Sequence, residues 1–313
     1  MKKNSKNYYN NYLIYKILFI LIALIISTLY IYIIELKKII INKTKKMQNI
    51  PKIIAISYAN RNYERQLKIN KKSALEIGKV NEYYSYGPND IDPKFRDKNK
   101  DILIRKRGNG YWLWKPYFIL KTLKEKLNEG DYLIYTDSGI LYMNSTWIII
   151  DFLENKNAEM WAIQTRYIEK SYTKRDAFIL LGADMPFYTE TPQYMAGIQI
   201  YKKSKFTEKF LEEVLYYSQD KRIITDDDNT LGFINYKGFK ENRHDQTVLS
   251  IMIKKYGQAS SGKTNLNFKQ INKQKIFMPY IFCIYRRLFF KNYDDIKQKC
   301  IHLFYNQKKM YFK

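Results

Sequence analysis

Cysteine is scarce: the 313 residues hold two, Cys283 and Cys300. Two thiols cannot staple a chain of this length. With only two histidines, His244 and His302, no Cys/His cluster has zinc spacing. Twelve glycines and seven prolines are too few for collagen-like or linker-like sequence. The patterns G-x-G-x-x-G, H-E-x-x-H and G-x-S-x-G are all missing. The local signatures of dinucleotide-dependent dehydrogenases, zincins and α/β-hydrolases are therefore missing too. Acidic residues are outnumbered, 30 Asp+Glu against 55 Lys+Arg, for a formal charge of +25. That balance suits an anionic partner. The aromatics, however, are spread along the chain without an RNA-binding signature, and no basic helix leads into a dimerisation heptad. Nucleic acid is not an expected partner. The apolar fraction, 46%, is that of a globular chain.

One long apolar run is present. Residues 17–34 read ILFILIALIISTLYIYII, without a charge. At helical rise this run spans about 27 Å, close to a hydrocarbon core of ~30 Å. It passes into Glu35-Leu36-Lys37-Lys38 without a small-residue cleavage site, which favours a retained signal anchor over a cleaved peptide. The expected organisation is an N-terminal tail over 1–12, a transmembrane anchor over 13–36 and a basic stalk over 37–50. A globular body over 51–257 and a basic tail or helix over 258–313 follow. Lysines flank the run on both sides, so they do not orient it.

The body alternates strand and helix. Lys52 to Ala59 (KIIAISYA) is a short β-branched apolar run, as a buried parallel strand would be. Arg61 to Gly78 reads as a helix, Val80 to Tyr84 as a strand, and Tyr86 to Lys100 as a polar loop. Trp112 to Leu127 reads as a helix and Asp131 to Thr136 (DYLIYT) as a buried strand. Met160 to Thr165 and Ala196 to Tyr201 are further strands, and Lys205 to Ser218 and Asp245 to Tyr256 are amphipathic helices. This alternation predicts an α/β fold with a mostly parallel sheet, whose ligands bind beyond the carboxyl ends of the strands. In the tail, Pro279 to Phe290 (PYIFCIYRRLFF) reads as a last helix covering the sheet or as a segment lying on an anionic bilayer.

Four groups of residues can carry chemistry. Tyr135-Thr136-Asp137-Ser138-Gly139 follows a buried strand, which poises the Asp137 carboxylate to hold a divalent ion against a phosphate. Arg107-Gly108-Asn109-Gly110-Tyr111-Trp112-Leu113-Trp114-Lys115-Pro116 sets two indoles beside a glycine pair and a lysine. The indoles can stack on a sugar or base, or anchor a helix start in the core. Arg243-His244-Asp245-Gln246 enters a helix with an imidazole and a carboxylate. Tyr172-Thr173-Lys174-Arg175-Asp176 and Thr191-Pro192-Gln193-Tyr194-Met195-Ala196-Gly197 fall in loops at the sheet's expected working edge. Asp226-Asp227-Asp228 reads as a solvated turn rather than a metal trap.

Taken together, the R-G-N-G-Y-W-L-W-K-P, G-D-Y-L-I-Y-T-D-S-G, T-K-R-D, T-P-Q-Y-M-A-G and R-H-D-Q-T-V-L-S blocks resemble the nucleotide-diphospho-sugar transferases of GT-A fold. They resemble in particular a branch found in surface-polysaccharide loci and large viruses. The resemblance covers about Lys52 to Gln258. It implies a Rossmann-like, mostly parallel mixed sheet flanked by helices, and glycosyl transfer from a nucleoside diphosphate sugar to a glycan or lipid-linked acceptor. Asp137 falls where such enzymes carry the first acid of their Asp-x-Asp metal motif; Gly139 stands in place of the second. The resemblance implies Mn or Mg held by Asp137, with His244 as a further ligand. It also implies that Ser57, Tyr58 and Arg61 follow the nucleotide-side strand, with Trp112, Trp114, Lys115, Gly139, Lys174 and Gln193 around the donor. Asp245 is the first candidate for a catalytic base and Asp176 the second. The competing reading is a non-catalytic sugar- or nucleotide-binding module on a degenerate scaffold of the same kind.

Overall fold

The structure is a computed structural model that describes residues 21, 24–39, 50–259 and 282–284. It forms two units, Met1–Pro51 and Lys52–Lys313. In the first, residues 24–39 are helical, with large apolar side chains such as Ile25, Leu29 and Ile33 exposed. The expected anchor begins outside the described residues, as do the N-terminal tail and most of the stalk. Among the described residues no helix is long and apolar enough to cross a membrane.

The second unit begins with β1 (Ile53–Tyr58), α1 (Glu64–Glu76) and β2 (Glu82–Tyr86). Next come α2 (Trp114–Lys126), β3 (Tyr132–Thr136), β4 (Ile140–Tyr142) and α3 (Trp147–Lys156). It continues with β5 (Met160–Ile168), α4 (Arg175–Leu180), β6 (Pro192–Lys202) and α5 (Lys205–Ser218). The last elements are α6 (Asp245–Ala259) and β7 (Phe282–Ile284).

Five strands form one sheet in the order β2-β1-β3-β6-β5. The pairs β1/β2 and β1/β3 are parallel, while β6 is antiparallel to both β3 and β5. β6 alone therefore runs against the rest, which agrees with the mostly parallel mixed sheet expected from the sequence. β1 reads as an unbroken apolar run because helices cover both faces. Ile54 and Ile56 join a core with Phe118 of α2, Phe210 of α5 and Val248 of α6. Ile53 and Ala55 join a second core with Ala74 of α1 and Leu153 of α3.

Several expected elements shift. The second strand starts two residues later than Val80, at Glu82. Within the expected loop 86–100, Asp92 caps a short helix, Pro93–Lys98, by accepting from the amides of Lys94 and Phe95. α3 was not expected from the sequence. Within the tail, residues 282–284 form β7, antiparallel to β4 with Leu141 opposite Cys283, so this part of the expected helix is a strand. The remainder of the tail beyond residue 259 lies outside the described residues.

Candidate active site

β3 carries Asp137 to the sheet's rim, and the site grows from there. A pocket of about 380 Å³ opens at this point. Trp112, Lys115, Asp137, His244 and Asp245, all expected from the sequence, line it together with Arg107, Thr165, Tyr167, Met195, Arg243 and Gln246.

Lys115 is the centre of its electrostatics. The side chain is 4% exposed, and its ammonium lies 2.5 Å from Asp245 Oδ2 and 3.3 Å from Asp137 Oδ1. The Tyr135 hydroxyl donates to the same Asp137 oxygen at 2.6 Å. Two carboxylates thus share one cation. Burial pushes the Asp245 carboxyl above the usual carboxylate range, and Lys115 opposes that rise.

The glycine-rich turn before α2 explains how Lys115 and Trp112 reach the pocket. Residues 108–112 all have positive φ, from 51° at Tyr111 to 92° at Gly110. A left-handed residue with a Cβ costs ~1–2 kcal/mol, so Asn109, Tyr111 and Trp112 need external support. The Asn109 amide bonds the Tyr58 hydroxyl, and Trp114 Nε1 donates to the Gly108 carbonyl at 2.9 Å. A Cβ on Gly108 would meet the Trp112 ring at 2.3 Å. The two tryptophans therefore divide the roles foreseen for them. Trp112 stacks on His244, with centroids 5.2 Å apart, at the pocket wall. Trp114 is core, stacked on Tyr58 at 3.7 Å.

His244 sits at φ 57° and is 3% exposed. Its Nδ1 lies 2.8 Å from the Ile224 carbonyl, which can only accept, so Nδ1 carries the proton. Burial holds the imidazole's pKa below its ordinary value. The Nε2 lone pair is buried without a hydrogen-bond partner among the described residues, 3.7 Å from Asp226 Oδ1.

The fit of a divalent cation follows from these groups. His244, whose Nε2 is unpartnered among the described residues, and the rim carboxylate of Asp137 both line one pocket, and the lining acids Asp137, Asp245 and Glu241 match the lining cations Lys115, Arg107 and Arg243 in number. Among the described residues no three His, Cys, Asp or Glu side chains gather as a cage. A bound ion would therefore draw remaining ligands from substrate oxygens and water, as Mg²⁺ does. On that count the residues present fit a diphosphate-bound ion.

Other expected site residues lie elsewhere. Asp176 is fully buried, and its carboxylate accepts from the Thr230 amide (2.6 Å), the Thr230 hydroxyl (2.9 Å) and the Leu231 amide (3.3 Å). It pins that loop and is not placed to act as a base in the pocket. Lys174 is buried with its ammonium on the Asp227 carbonyl, and burial lowers its pKa. Gln193 is fully buried and donates to Glu169 at 2.9 Å. Ser57 and Tyr58 are packed inside, and burial lifts the Tyr58 hydroxyl to about 12; Arg61 is exposed. None of these, nor Gly139 or Trp114, lines the pocket. Asp226 and Asp227 pair with Arg107 and Arg105, at 3.1 and 3.5 Å.

Sequence reasoning assigned no role to Arg107, Thr165, Tyr167, Arg243 or Gln246. Arg107, Arg243 and Gln246 stand inside motifs already singled out. Thr165 and Tyr167 carry no local signal; register shifts between Ala162 and Ile168 accompany their place at the pocket. Bulges commonly re-aim side chains in this way.

No protein-family model and no curated protein matches the chain. Among solved structures, it is similar to the galactosyltransferase LgtC in complex with donor and acceptor sugar analogues, at 13% identity. That match covers 80% of this chain and 94% of that one with a TM-score of 0.42. It is also similar to core-mannan synthase A of Aspergillus fumigatus in a Mn/GDP form (9% identity, 80% and 83% covered, TM-score 0.43). A third is mouse xyloside xylosyltransferase 1 in its apo form (10% identity, 69% and 84% covered, TM-score 0.37).

Proposed function

We propose that this chain is a membrane-anchored glycosyltransferase that moves a sugar from a nucleoside diphosphate to a glycan or lipid-linked acceptor. The observation that carries the reading is the Asp137–Lys115–Asp245 triplet at the carboxyl end of β3, opening into one pocket with His244. The charge-free run over residues 17–34, and the exposed apolar side chains along residues 24–39, support the anchor.

Transfer breaks the bond between the anomeric carbon and the diphosphate oxygen, and that oxygen keeps the electron pair. Lys115 is placed to meet the growing charge, in a pocket whose walls strengthen electrostatic contacts. The acceptor oxygen forms the new bond to the anomeric carbon and loses its proton. In an inverting transfer Asp245 takes that proton, because it is the buried carboxylate whose affinity for one is raised. Asp137 and the His244 Nε2 would hold a divalent cation, which when bound supplies Lewis-acid neutralisation of the diphosphate. Trp112 presents an aromatic face to a sugar ring.

The direct test is a thermal-shift screen of the purified chain with nucleoside diphosphates and their sugars, with and without Mn²⁺. One nucleotide series is expected to raise the midpoint in proportion to ligand occupancy. No shift with any of them would contradict the reading. Asp245→Asn is expected to keep that shift while lowering kcat about a hundredfold. An unchanged kcat would remove Asp245 from proton transfer. A pure binding module would bind without hydrolysing or transferring any donor.

A further inference from the structure

Two pocket cations have no role in the chemistry above: Arg107, which is paired with Asp226 and Glu241, and Arg243. Arg243 follows the chain's pairing with the one-turn helix Glu169–Tyr172, where its amide donates to the Tyr172 carbonyl at 3.1 Å. Its guanidinium carbon lies 4.1 Å from the ring centroids of both Tyr167 and Tyr172. Those rings meet edge to face at 5.0 Å, so they form a corner that holds the guanidinium. Arg243 Nε faces Glu241 at 3.4 Å, and Glu241 is also bound by Arg107 at 3.2 Å. Among the described residues Glu241 is the ion-pair partner of Arg243, the guanidinium makes no hydrogen bond, and the side chain, a quarter exposed, belongs to a residue that lines the pocket.

A guanidinium fixed by aromatic faces, with its N–H donors unspent on hydrogen bonds, is built to bind an oxyanion through two parallel hydrogen bonds. The position says which oxyanion. Lys115 and Asp137 mark the donor diphosphate, at the end of β3. Arg243 instead stands with Tyr167 at the far end of β5, the edge strand beyond β6. We infer that Arg243 reads an acidic group on the acceptor, a carboxylate or phosphate carried by the molecule that receives the sugar. The inference rests on the transferase reading and extends it by giving the acceptor a charge.

The experiment uses the full chain saturated with the nucleoside diphosphate that stabilises it best. Methyl glucuronide and glycerol phosphate serve as acidic probes and methyl glucoside as the neutral one, each titrated by thermal shift. At least one acidic probe is expected to bind about tenfold more tightly than methyl glucoside. Its margin is expected to vanish in Arg243→Gln and to return in part in Arg243→Lys, with nucleotide affinity unchanged in both. The probe that binds tells a carboxylate from a phosphate. Two results would overturn the inference: equal binding of acidic and neutral probes, or weakened nucleotide binding in Arg243→Gln, which would place the guanidinium on the donor. Absence of any nucleotide shift in the wild-type chain would instead count against the transferase reading itself. Matching midpoints of the unliganded variants and the wild type show that the fold is intact.

Discussion

Replacing Lys115 with methionine is expected to lower kcat by about a hundred- to a thousandfold, the range seen when a preorganised charge-stabilising donor is removed. Methionine keeps most of the volume and apolar stem, so α2 still starts where it does. Only the ammonium goes. With it goes the cation that Asp137 and Asp245 share at 3.3 and 2.5 Å, in a place where the lysine is 4% exposed. Two carboxylates are then left facing one pocket without the cation they shared, and proton binding by one of them relieves the repulsion. Asp245 is the expected site, since burial already raises its pKa. The acid limb of the kcat profile should therefore move to higher pH as well as falling in height. Steady-state kinetics across pH, with the donor identified by the nucleotide screen, measure both effects. A normal kcat with an unmoved limb would show that Lys115 is a packing residue.

The second large effect is on stability. Glu169 is fully buried, and four side chains reach its carboxylate: Thr173 at 2.8 Å, Gln193 at 2.9 Å, Lys254 at 2.7 Å and the Ser250 hydroxyl. These partners come from β6, α6 and the turn after β5, so the carboxylate ties the pocket's walls together. Gln193 carries the network onward, because its Oε1 accepts from Gln246 at 2.7 Å, and Gln246 lines the pocket. Burial pulls the Lys254 pKa down while Glu169 holds it up. Lys254→Met leaves a buried carboxylate without its cation and is expected to cost ~3–5 kcal/mol in urea unfolding. Adding Glu169→Gln removes the orphaned charge and should recover a large share of that loss. A Lys254→Met variant within ~1 kcal/mol of wild type would mean the pair is solvated in solution.

How legible the molecule is from its sequence depends on whether the cause is local. β1 and β3 are readable because a strand covered on both faces must be apolar throughout. α5 is readable because Ser204 and Thr207 form a reciprocal cap before a Phe206, Phe210, Leu211 and Val214 stripe. α3 hides because Trp147-Ile148-Ile149-Ile150 has a strand's composition and Thr146 gives its hydroxyl to the Gly78 carbonyl rather than to a cap.

In the site, Asp137, His244 and Asp245 are readable as polar residues at element ends. Asp176 and Lys174 carry the same local signal, and only the loop that folds over them satisfies their charges. The separate fates of Trp112 and Trp114 depend on a left-handed turn that spacing does not reveal. Tyr167 gains its place beside Arg243 only through pairing across β5, β6 and the chain entering α6.

The Asp137 carboxylate at the end of β3 is central to the proposed transfer. Turnover of the stabilising nucleoside diphosphate sugar by wild type and Asp137→Ala, followed by release of free nucleoside diphosphate, tests it most directly. The expected result is measurable turnover by wild type and a loss in Asp137→Ala worth ~3 kcal/mol or more of transition-state stabilisation. Near-normal turnover in that variant, with the same donor, would contradict the account.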